Sequence, residues 1–357
     1  MTSAQAIQDQ SFAGFYAQTR AARKILVVDL GFLGDTLHLL PALWEIKRHY
    51  PQAELHVLTS TLGADVLALA PCADRAWAVE LLPGKRTLRQ QWHVLRAVRR
   101  ERFDLAINFS GADRTIFMTA LSGARWKLGH EAVRKHFWNS WLISQWVSRR
   151  NPDLPVFEQR RAVLAACGFE LAPPRFDLHV PGEASAWAAS EIPPAALHLS
   201  PNASAWYKEW PLANWIELVH TLLAQQPQLR IVATGSGSDR ETTRLKQLAS
   251  SVGSPRLQTL AALSIARLAA LLTRCSAHVG ADSGVLHLAV ALGRPTVSIF
   301  RDYPGLNEWL PRGLHHKHLT APCPCALQMR EACTRQETAQ CLAAITPASV
   351  AALLPPQ

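Results

Sequence analysis

Residues 24–60 read KILVVDLGFLGDTLHLLPALWEIKRHYPQAELHVLTS. The apolar runs 24–30 and 54–60 are short and bounded by polar or turn residues, as buried strands are. Between them, over residues 35–51, apolar side chains recur at helical spacing: Leu39, Leu43, Ile46 and Tyr50. A strand, a helix and a second strand in this order indicate a parallel sheet covered by helices on both faces.

The same alternation continues along the chain and restarts after the proline-rich stretch 172–194. Further strands are predicted at 104–110, 126–130, 195–201, 229–235, 276–282 and 295–300, with helices at 211–225, 239–251, 264–273 and 284–292. The sequence therefore predicts an α/β protein with two Rossmann-like doubly wound domains of similar size that face a cleft. Open α/β sheets bind ligands at the carboxyl ends of their strands, so the residues there are the candidates for a site.

The composition of the 357 residues excludes several classes of protein. Hydrophobic residues make up 48% and charged residues 18%, which is typical of a folded globular chain. No run of apolar residues is long enough to predict a membrane span, and the N-terminus lacks the pattern of a secretory signal, so we expect a cytoplasmic protein. Seven cysteines are then expected to be reduced.

The net charge of +10 is concentrated in the first half of the chain, where residues 1–180 hold 23 basic and 16 acidic side chains. Such a surplus predicts an anionic partner, which charge alone leaves open as nucleic acid, a phosphorylated substrate or the cytoplasmic face of a membrane. Nucleic acid is disfavoured because the chain has no recognisable binding module and no basic motif with clustered aromatic residues.

The first predicted strand runs into Gly31, Gly34 and Asp35, where the helix begins. The two glycines permit a tight turn, and the free N–H groups of the helix suit an anion or a polar substrate. Asp35 is then either a carboxylate in the cleft or only the cap of its helix. The dinucleotide fingerprint GxGxxG is absent, so a nicotinamide enzyme is not expected.

The loop 201–211 follows another predicted strand and reads PNASAWYKEWP. Small and hydroxyl residues such as Ser204, followed by Lys208 and a helix-starting proline, suit a bound phosphate. The alternative is a surface loop with a solvated lysine.

The segment 279–300, VGADSGVLHLAVALGRPTVSIF, carries the strongest local pattern. Asp282, Ser283, Gly284 and His287 follow a strand and open a helix, which suits a sugar diphosphate: the helix end takes phosphate and the carboxylate takes sugar hydroxyls. His287 taken alone could instead be a semi-buried structural histidine.

The candidates for metal binding are cysteines near the C-terminus. The chain has no Asp-x-Asp motif for a divalent ion, so a metal-free mechanism is expected. Four thiols are closely spaced near the C-terminus: Cys323, Cys325, Cys333 and Cys341. They could bind zinc or iron, although the spacing is unlike the usual knuckles and favours plain thiols. The adjacent HHKH (315–318) is expected to be a solvated loop.

Taken together, these segments resemble glycosyltransferase family 9, the bacterial heptosyltransferases of the lipopolysaccharide inner core. The resemblance rests on the quoted GD…LPAL, KxWP and DSGxxHLAxALGxPT elements and on the piece FDLAINFSGADRTIFMTALSGARWKLG, and it spans most of residues 24–350. It implies an acceptor-binding domain at 24–180, a nucleotide-sugar-binding domain at 190–345 with the Cys-rich tail, and a C-terminal helix at 346–357 that packs back on the first domain. The polar residues 1–23 that precede these domains are themselves expected to form a leader helix.

The resemblance also implies roles for single residues. Asp35 matches the catalytic base, Lys208 the phosphate-binding lysine, and the segment with Asp282, Gly284 and His287 the donor-binding loop. Glu241 is assigned to the ribose, with Asp239 as the alternative. Asp113 and Arg114 are assigned to the acceptor. Asn202 stands where many members have glycine, which we attribute to the ease with which Asn enters left-handed conformations.

The function implied is an inverting, metal-independent transfer of heptose from ADP-heptose to a phosphorylated, lipid-linked glycan acceptor at the inner face of the cytoplasmic membrane, with no added cofactor. The alternatives are another nucleotide-activated sugar, a protein acceptor, or a catalytically silent protein that only binds nucleotide-sugar or glycan.

Overall fold

The structure, a computed structural model, describes residues 14–80, 91–130, 136, 138–147, 151, 153–322 and 339–354. The chain divides into two compact units, Met1–His179 and Val180–Gln357. Each unit contains a six-stranded sheet in which all described pairings are parallel. The predicted fold class, two Rossmann-like domains, is confirmed.

The first unit alternates strands and helices. In chain order its elements are α1 (Phe15–Thr19), β1 (Lys24–Val28), α2 (Leu33–His49), β2 (Glu54–Ser60), α3 (Thr61–Leu67), β3 (Arg75–Val79), α4 (Trp92–Arg100), β4 (Leu105–Asn108), α5 (Asp113–Leu121), β5 (Trp126–His130), α6 (Asn139–Leu142), β6 (Gln145–Val147) and α7 (Val156–Ala166). The strand order β3-β2-β1-β4-β5-β6 places β1 and β4 side by side at the centre.

The centre of this sheet explains why β1 reads as a continuous apolar run. Val27 pairs with Val57 on one side and with Ile107 on the other, and all three are fully buried. Both faces of the strand are covered by helices, so no polar alternation appears in its sequence. Residues that follow β1 and β4 therefore emerge as neighbours at the carboxyl edge of the sheet.

The short α1 lies within the predicted leader helix, of which residues 1–13 are outside the described part. Phe15 is buried, and Thr19 Oγ1 lies 2.8 Å from the hydroxyl of Tyr50 at the end of α2. Tyr16 Oη donates to the carbonyl of His49 at 3.3 Å. These contacts attach α1 to the first unit.

The second unit repeats the alternation. Its elements are α8 (Gly182–Glu191), β7 (Leu197–Ser200), a 3₁₀ turn (Trp206–Lys208), α9 (Leu212–Gln225), β8 (Ile231–Gly235), α10 (Asp239–Val252), β9 (Leu257–Ala261), α11 (Ile265–Arg274), β10 (Ala277–Ala281), α12 (Gly284–Ala291), β11 (Thr296–Asp302), a second 3₁₀ turn (Leu306–Glu308), β12 (His316–Pro322), α13 (Gln340–Ala343) and α14 (Pro347–Ala351). The strand order is β12-β11-β10-β7-β8-β9.

The end of the chain packs within the second unit. Val350 of α14 is fully buried in the core cluster that contains Trp210 and Trp215, and α14 lies against α9. The indole nitrogen of Trp210 also donates to the carbonyl of Ile345 at 3.0 Å. Apolar side chains of the described part of the predicted C-terminal helix thus pack in the core beside α9. The expectation that residues 346–357 pack back on the first domain stays a prediction.

Four strands were not predicted from the sequence: β3, β6, β9 and β12. All four are outer strands of their sheets. An outer strand pairs on one side only and keeps positions that are exposed or half-buried, so it lacks the continuous apolar run that marks inner strands. The HHKH segment, expected to be a solvated loop, begins β12 at His316, and this expectation was wrong.

Among the helices in the described ranges, none combines the length and the apolar character needed to cross a membrane.

Candidate active site

Asp35 lies in the first turn of α2, at the carboxyl edge of the first sheet. Its Oδ2 accepts a hydrogen bond from the backbone N–H of Phe32 at 2.9 Å, so the carboxylate does cap the helix. The side chain remains partly exposed. The capping role and a role toward a substrate are thus compatible, because one carboxylate offers more than one acceptor position.

The turn before Asp35 requires glycine at position 31. A Cβ built on Gly31 would lie 2.1 Å from Cβ of Asp35, which no side chain can accommodate. The carbonyl of Gly31 accepts from Ser60 Oγ at 2.8 Å, which ties the turn to the end of β2. Gly34 is buried inside the first turn of α2. Gly31 thus permits the close approach of Asp35 to its loop.

Asp113 and Arg114 open α5, which follows β4. Because β4 is paired with β1, this pair emerges beside the loop of Asp35. Arg114 Nη2 donates to Oε1 of Gln91 at 2.7 Å, and burial lowers the pKa of Arg114. Asp113 Oδ2 lies 3.5 Å from Nε2 of His136. The structure therefore brings both residues to the same edge as Asp35.

In the second unit, Lys208 and Asp282 meet across two neighbouring strand ends. Lys208 ends the 3₁₀ turn after β7, and Asp282 follows β10, which pairs with β7. Lys208 Nζ donates to Asp282 Oδ2 at 2.7 Å, and the lysine side chain remains 29% exposed. This ion pair sits at the carboxyl edge, where a parallel sheet binds its ligand.

The N-terminus of α12 adjoins this ion pair. Ser283 is the N-cap residue, but its hydroxyl makes no cap bond, and Oγ is buried without a hydrogen-bond partner among the described residues. Gly284 is the first residue of α12, and His287 is buried one turn later, its ring 5.8 Å from that of Trp309. An unsatisfied hydroxyl and free helix N–H groups beside a lysine form a suitable site for phosphate.

Residues that the sequence did not reveal hold the loop of Lys208. The buried Glu209 accepts from the backbone N–H of Ala203 at 3.0 Å and from Arg240 Nη1 at 2.6 Å. Arg244 Nε donates to Asn202 Oδ1 at 3.1 Å. No local motif signals this network, because its members come from the loop and from α10.

Two of these positions modify the earlier expectations. Asn202 is buried and is not in a left-handed conformation, so our explanation for its presence there was wrong. Its side chain instead serves as an acceptor for Arg244. Ser204 is exposed at the same loop.

Glu241, rather than Asp239, shapes the turn after β8. Its Oε2 accepts from the backbone N–H of Ser236 at 2.7 Å, whereas Asp239 is exposed at the start of α10. The two acids are two positions apart, and such residues do not face each other on a helix.

In the described ranges, no group of three or more His, Cys, Asp or Glu side chains is placed to hold a metal ion.

The cysteine cluster lies mostly outside the described residues. Cys323, Cys325 and Cys333 fall in the part of the chain that is not described, and Cys341 is buried in the second core. Whether these thiols bind metal stays a prediction.

A pair of histidines lies on the two neighbouring strands that precede the loops of Lys208 and Asp282. His198 of β7 and His278 of β10 are fully buried, with their Nδ1 atoms 2.8 Å apart. His198 Nε2 lies 2.9 Å from Thr234 Oγ1. Burial lowers the pKa of His198 to about 3, and burial also lowers the pKa of His278 well below its ordinary value. Both rings are therefore neutral near pH 7.

This pair predicts a loss of stability in acid. In the unfolded chain the two histidines bind protons near their ordinary pKa of about 6.5, whereas in the folded protein they do not. The free energy of unfolding therefore has its full value above that pH and decreases as the pH falls below it. At about pH 5 the loss from His198 is about 2 kcal/mol. We expect the free energy of urea unfolding to decrease less between pH 7.5 and 5 in H198Q than in wild type. The control is H318Q, which replaces an exposed histidine and should keep the pH dependence of wild type. The same pH dependence in H198Q as in wild type would contradict the prediction.

The comparisons with known proteins come from sequence and from structure. The sequence model described as "Glycosyltransferase family 9 (heptosyltransferase)" matches residues 91–338. The lipopolysaccharide heptosyltransferase 1 of Pseudomonas aeruginosa is 28% identical over 332 residues, covering 88% of each chain. This chain therefore aligns with that relative along most of its length.

Two solved structures from Escherichia coli share the architecture. The ADP-heptose lipopolysaccharide heptosyltransferase II superposes with a TM-score of 0.74 at 18% identity, covering 92% of this chain and 97% of the other. The heptosyltransferase WaaC with ADP superposes with a TM-score of 0.71 at 19% identity, with the same coverage. At these identities the likeness establishes the fold.

Proposed function

The chain belongs to glycosyltransferase family 9 and is a glycosyl-transfer enzyme, and on this premise we propose that it transfers heptose from ADP-heptose to a lipopolysaccharide inner-core acceptor, by an inverting, metal-independent mechanism. The observation that carries the proposal is the Lys208–Asp282 ion pair beside the N-terminus of α12. The P. aeruginosa relative is named for heptose transfer to lipopolysaccharide, and one of the structural neighbours for ADP-heptose.

The second unit supplies the donor site. Lys208 and the free N–H groups at Gly284 neutralise the diphosphate, and the unsatisfied hydroxyl of Ser283 donates to a phosphate oxygen. Asp282 accepts from sugar hydroxyls, His287 lines the same loop, and Glu241, which orders the turn after β8, accepts from ribose hydroxyls. Ser204 is exposed in the same loop as Lys208 and is a further contact for the donor.

The first unit supplies the base. Asp35 takes the proton of the acceptor hydroxyl as that oxygen attacks the anomeric carbon, and the bond to the diphosphate breaks with ADP as the leaving group. Attack from the face opposite ADP inverts the anomeric configuration. Lys208 and the helix N-terminus stabilise the charge that develops on the departing diphosphate, which is the role a metal ion plays in other transferases.

The acceptor is proposed to reach the carboxyl edge of the first sheet from a membrane surface. Five large apolar side chains are exposed in the turns and helices that follow successive strands of this sheet: Phe32 (68%), Leu62 (47%), Trp92 (56%), Phe117 (38%) and Trp141 (81%). Residues 85–150 hold 14 basic and 4 acidic side chains. Aromatic side chains at an interface and a basic surplus both favour an anionic bilayer. Asp113 and Arg114 lie at this edge and contact the phosphorylated glycan.

We expect the double variant W92S/W141S to bind vesicles of phosphatidylcholine with phosphatidylglycerol about tenfold more weakly than wild type, because two interfacial anchors are lost. Sedimentation of vesicles with bound protein measures this. The control is L314S, which removes an 87% exposed leucine from the second unit and leaves vesicle binding unchanged. Equal binding by wild type and the double variant would contradict the proposed surface.

Turnover should continue in EDTA, because Lys208 and the N-terminus of α12 supply the positive charge that the diphosphate needs. A steady-state transfer assay with and without EDTA measures this. Immediate inhibition that added Mg²⁺ or Mn²⁺ reverses would contradict a metal-free mechanism. A slow loss of thermal stability without loss of initial rate would instead indicate a structural metal at the cysteines, and elemental analysis would identify it.

The function itself is tested by incubating the purified protein with a panel of nucleotide-sugars and core-truncated lipid acceptors and weighing the products. A product heavier by one heptose, formed only with ADP-heptose, supports the proposal. Transfer of a different sugar would show that the donor is not ADP-heptose. A mass increase on a protein would show that the acceptor is not the lipid. Binding of ADP without any product identifies a silent binding protein.

A further inference from the structure

A buried ion pair lies directly behind the loop that presents Asp35. Asp29 follows β1 and is 2% exposed, with Oδ2 at 2.7 Å from Nη2 of Arg160 on α7. The four residues of β1 that precede Asp29, at 25–28, are apolar and fully buried. Charged groups are costly in such a position, and a buried pair adds little net stability compared with apolar packing. Its presence at this point therefore needs a reason other than stability.

The two partners hold opposite ends of the loop. Asp29 Oδ1 accepts from the backbone N–H of Gly31 at 3.0 Å, and Arg160 Nη1 donates to the backbone carbonyl of Asp35. The ion pair thus connects the beginning of the turn to its end. Between these anchors, the backbone N–H of Phe32 bonds to the carboxylate of Asp35. The orientation of that carboxylate is fixed through three successive contacts.

Arg160 also balances charge at this site. Burial raises the pKa of Asp29, Arg160 opposes this shift, and the neighbouring Asp35 adds to it. Without the guanidinium, the buried carboxylate of Asp29 would lie near that of Asp35 with no positive charge beside it, which is unfavourable. Arg160 thus favours the charged form of Asp29 and anchors the end of the loop at the carbonyl of Asp35.

We propose that Asp29 and Arg160 are positioning residues that hold the Gly31–Asp35 loop, and with it the base, in the geometry needed to accept the acceptor's proton. This rests on the proposed function of Asp35. The pair touches no substrate and acts through the loop. A displacement of a reacting group by about 1 Å can cost about a hundredfold in rate, so the loop's placement matters for turnover.

A double-mutant cycle tests this. We expect R160M to lower kcat about 10- to 100-fold when Asp35 is present, and by less than about threefold in the D35N background, because a positioning residue has nothing left to position. R160K keeps a positive charge beside Asp29, so its kcat should be closer to that of wild type than the kcat of R160M. The kcat and KM are measured separately for transfer to the lipid acceptor, and the effect is expected in kcat.

The matched control is R161M on the same helix. Arg161 is also buried and pairs with Glu45 and Glu158, away from the loop of Asp35. R161M should lower the midpoint of unfolding, while the kcat of the folded enzyme stays within about threefold of wild type. Both results are expected when an ion pair has only a structural role. Affinity for ADP, measured by calorimetry, should be unchanged in R160M, because the proposed donor site is in the second unit.

The outcomes separate the two proposals. Equal losses of kcat for R160M in both backgrounds, or normal kcat in R160M, would overturn the positioning role while Asp35 remains the base. Normal turnover in D35N alone would overturn the base itself, and the positioning role with it.

Discussion

D35N is expected to reduce kcat by about 10²- to 10⁴-fold, the usual contribution of a general base. The substitution separates the two roles of this residue, because the amide oxygen of Asn can still accept from the N–H of Phe32 and preserve the helix cap. Only the capacity to take a proton is lost. Steady-state transfer assays measure kcat, and calorimetry with ADP should show an unchanged affinity.

The control for this variant is D65N. Asp65 is an exposed aspartate on α3, in the segment after the neighbouring strand β2. It should have normal turnover. If D35N also keeps near-normal turnover and stability, Asp35 is a helix cap alone and another group must take the proton.

K208A is expected to weaken ADP binding by about 10- to 150-fold, since a hydrogen bond to a charged group contributes about 1.5–3 kcal/mol. The substitution removes the ammonium that lies 2.7 Å from Asp282. The carboxylate of Asp282 then faces the diphosphate without its counter-ion, so repulsion adds to the lost attraction. Isothermal titration with ADP measures the change.

Lys246 offers a matched control on α10 of the same unit, where its side chain is exposed. K246A should bind ADP as wild type does. An unchanged affinity in K208A would remove Lys208 from the donor site.

In D282N the lysine loses its counter-ion. We expect binding of the nucleotide-sugar to weaken, because a neutral amide accepts hydrogen bonds from the sugar hydroxyls less strongly than a carboxylate does.

Much of the site was predictable because its residues follow strands that are apolar in sequence. Asp35 comes after KILVV and Asp282 after AHVGA, and both strands lie inside their sheets. Parallel strands deliver such residues to one edge whatever their separation along the chain. The pairing of Lys208 with Asp282 across 74 positions follows from this rule together with the adjacency of β7 and β10.

The support behind the site was not predictable in the same way. Arg160 belongs to the run VFEQRRAVLAA, in which it looks no different from its neighbour Arg161. Only the packing of α7 on α2 directs one arginine to Asp29 and Asp35 and the other to Glu45 and Glu158. The histidine pair is similar, since 80 residues separate His198 from His278 and neither lies in a recognisable motif.

The sequence by itself determined the fold class, the eight strands that were predicted and the loops that follow them, because the periodicity of apolar residues reports directly which segments are covered on both faces. Tertiary structure alone decided the four outer strands, the attachment of α14 to the second unit and the partners of buried charges. These features depend on contacts between segments distant in the chain. A partly exposed strand or a buried arginine acquires its role only from the neighbour it meets, and that neighbour is not encoded nearby in the sequence.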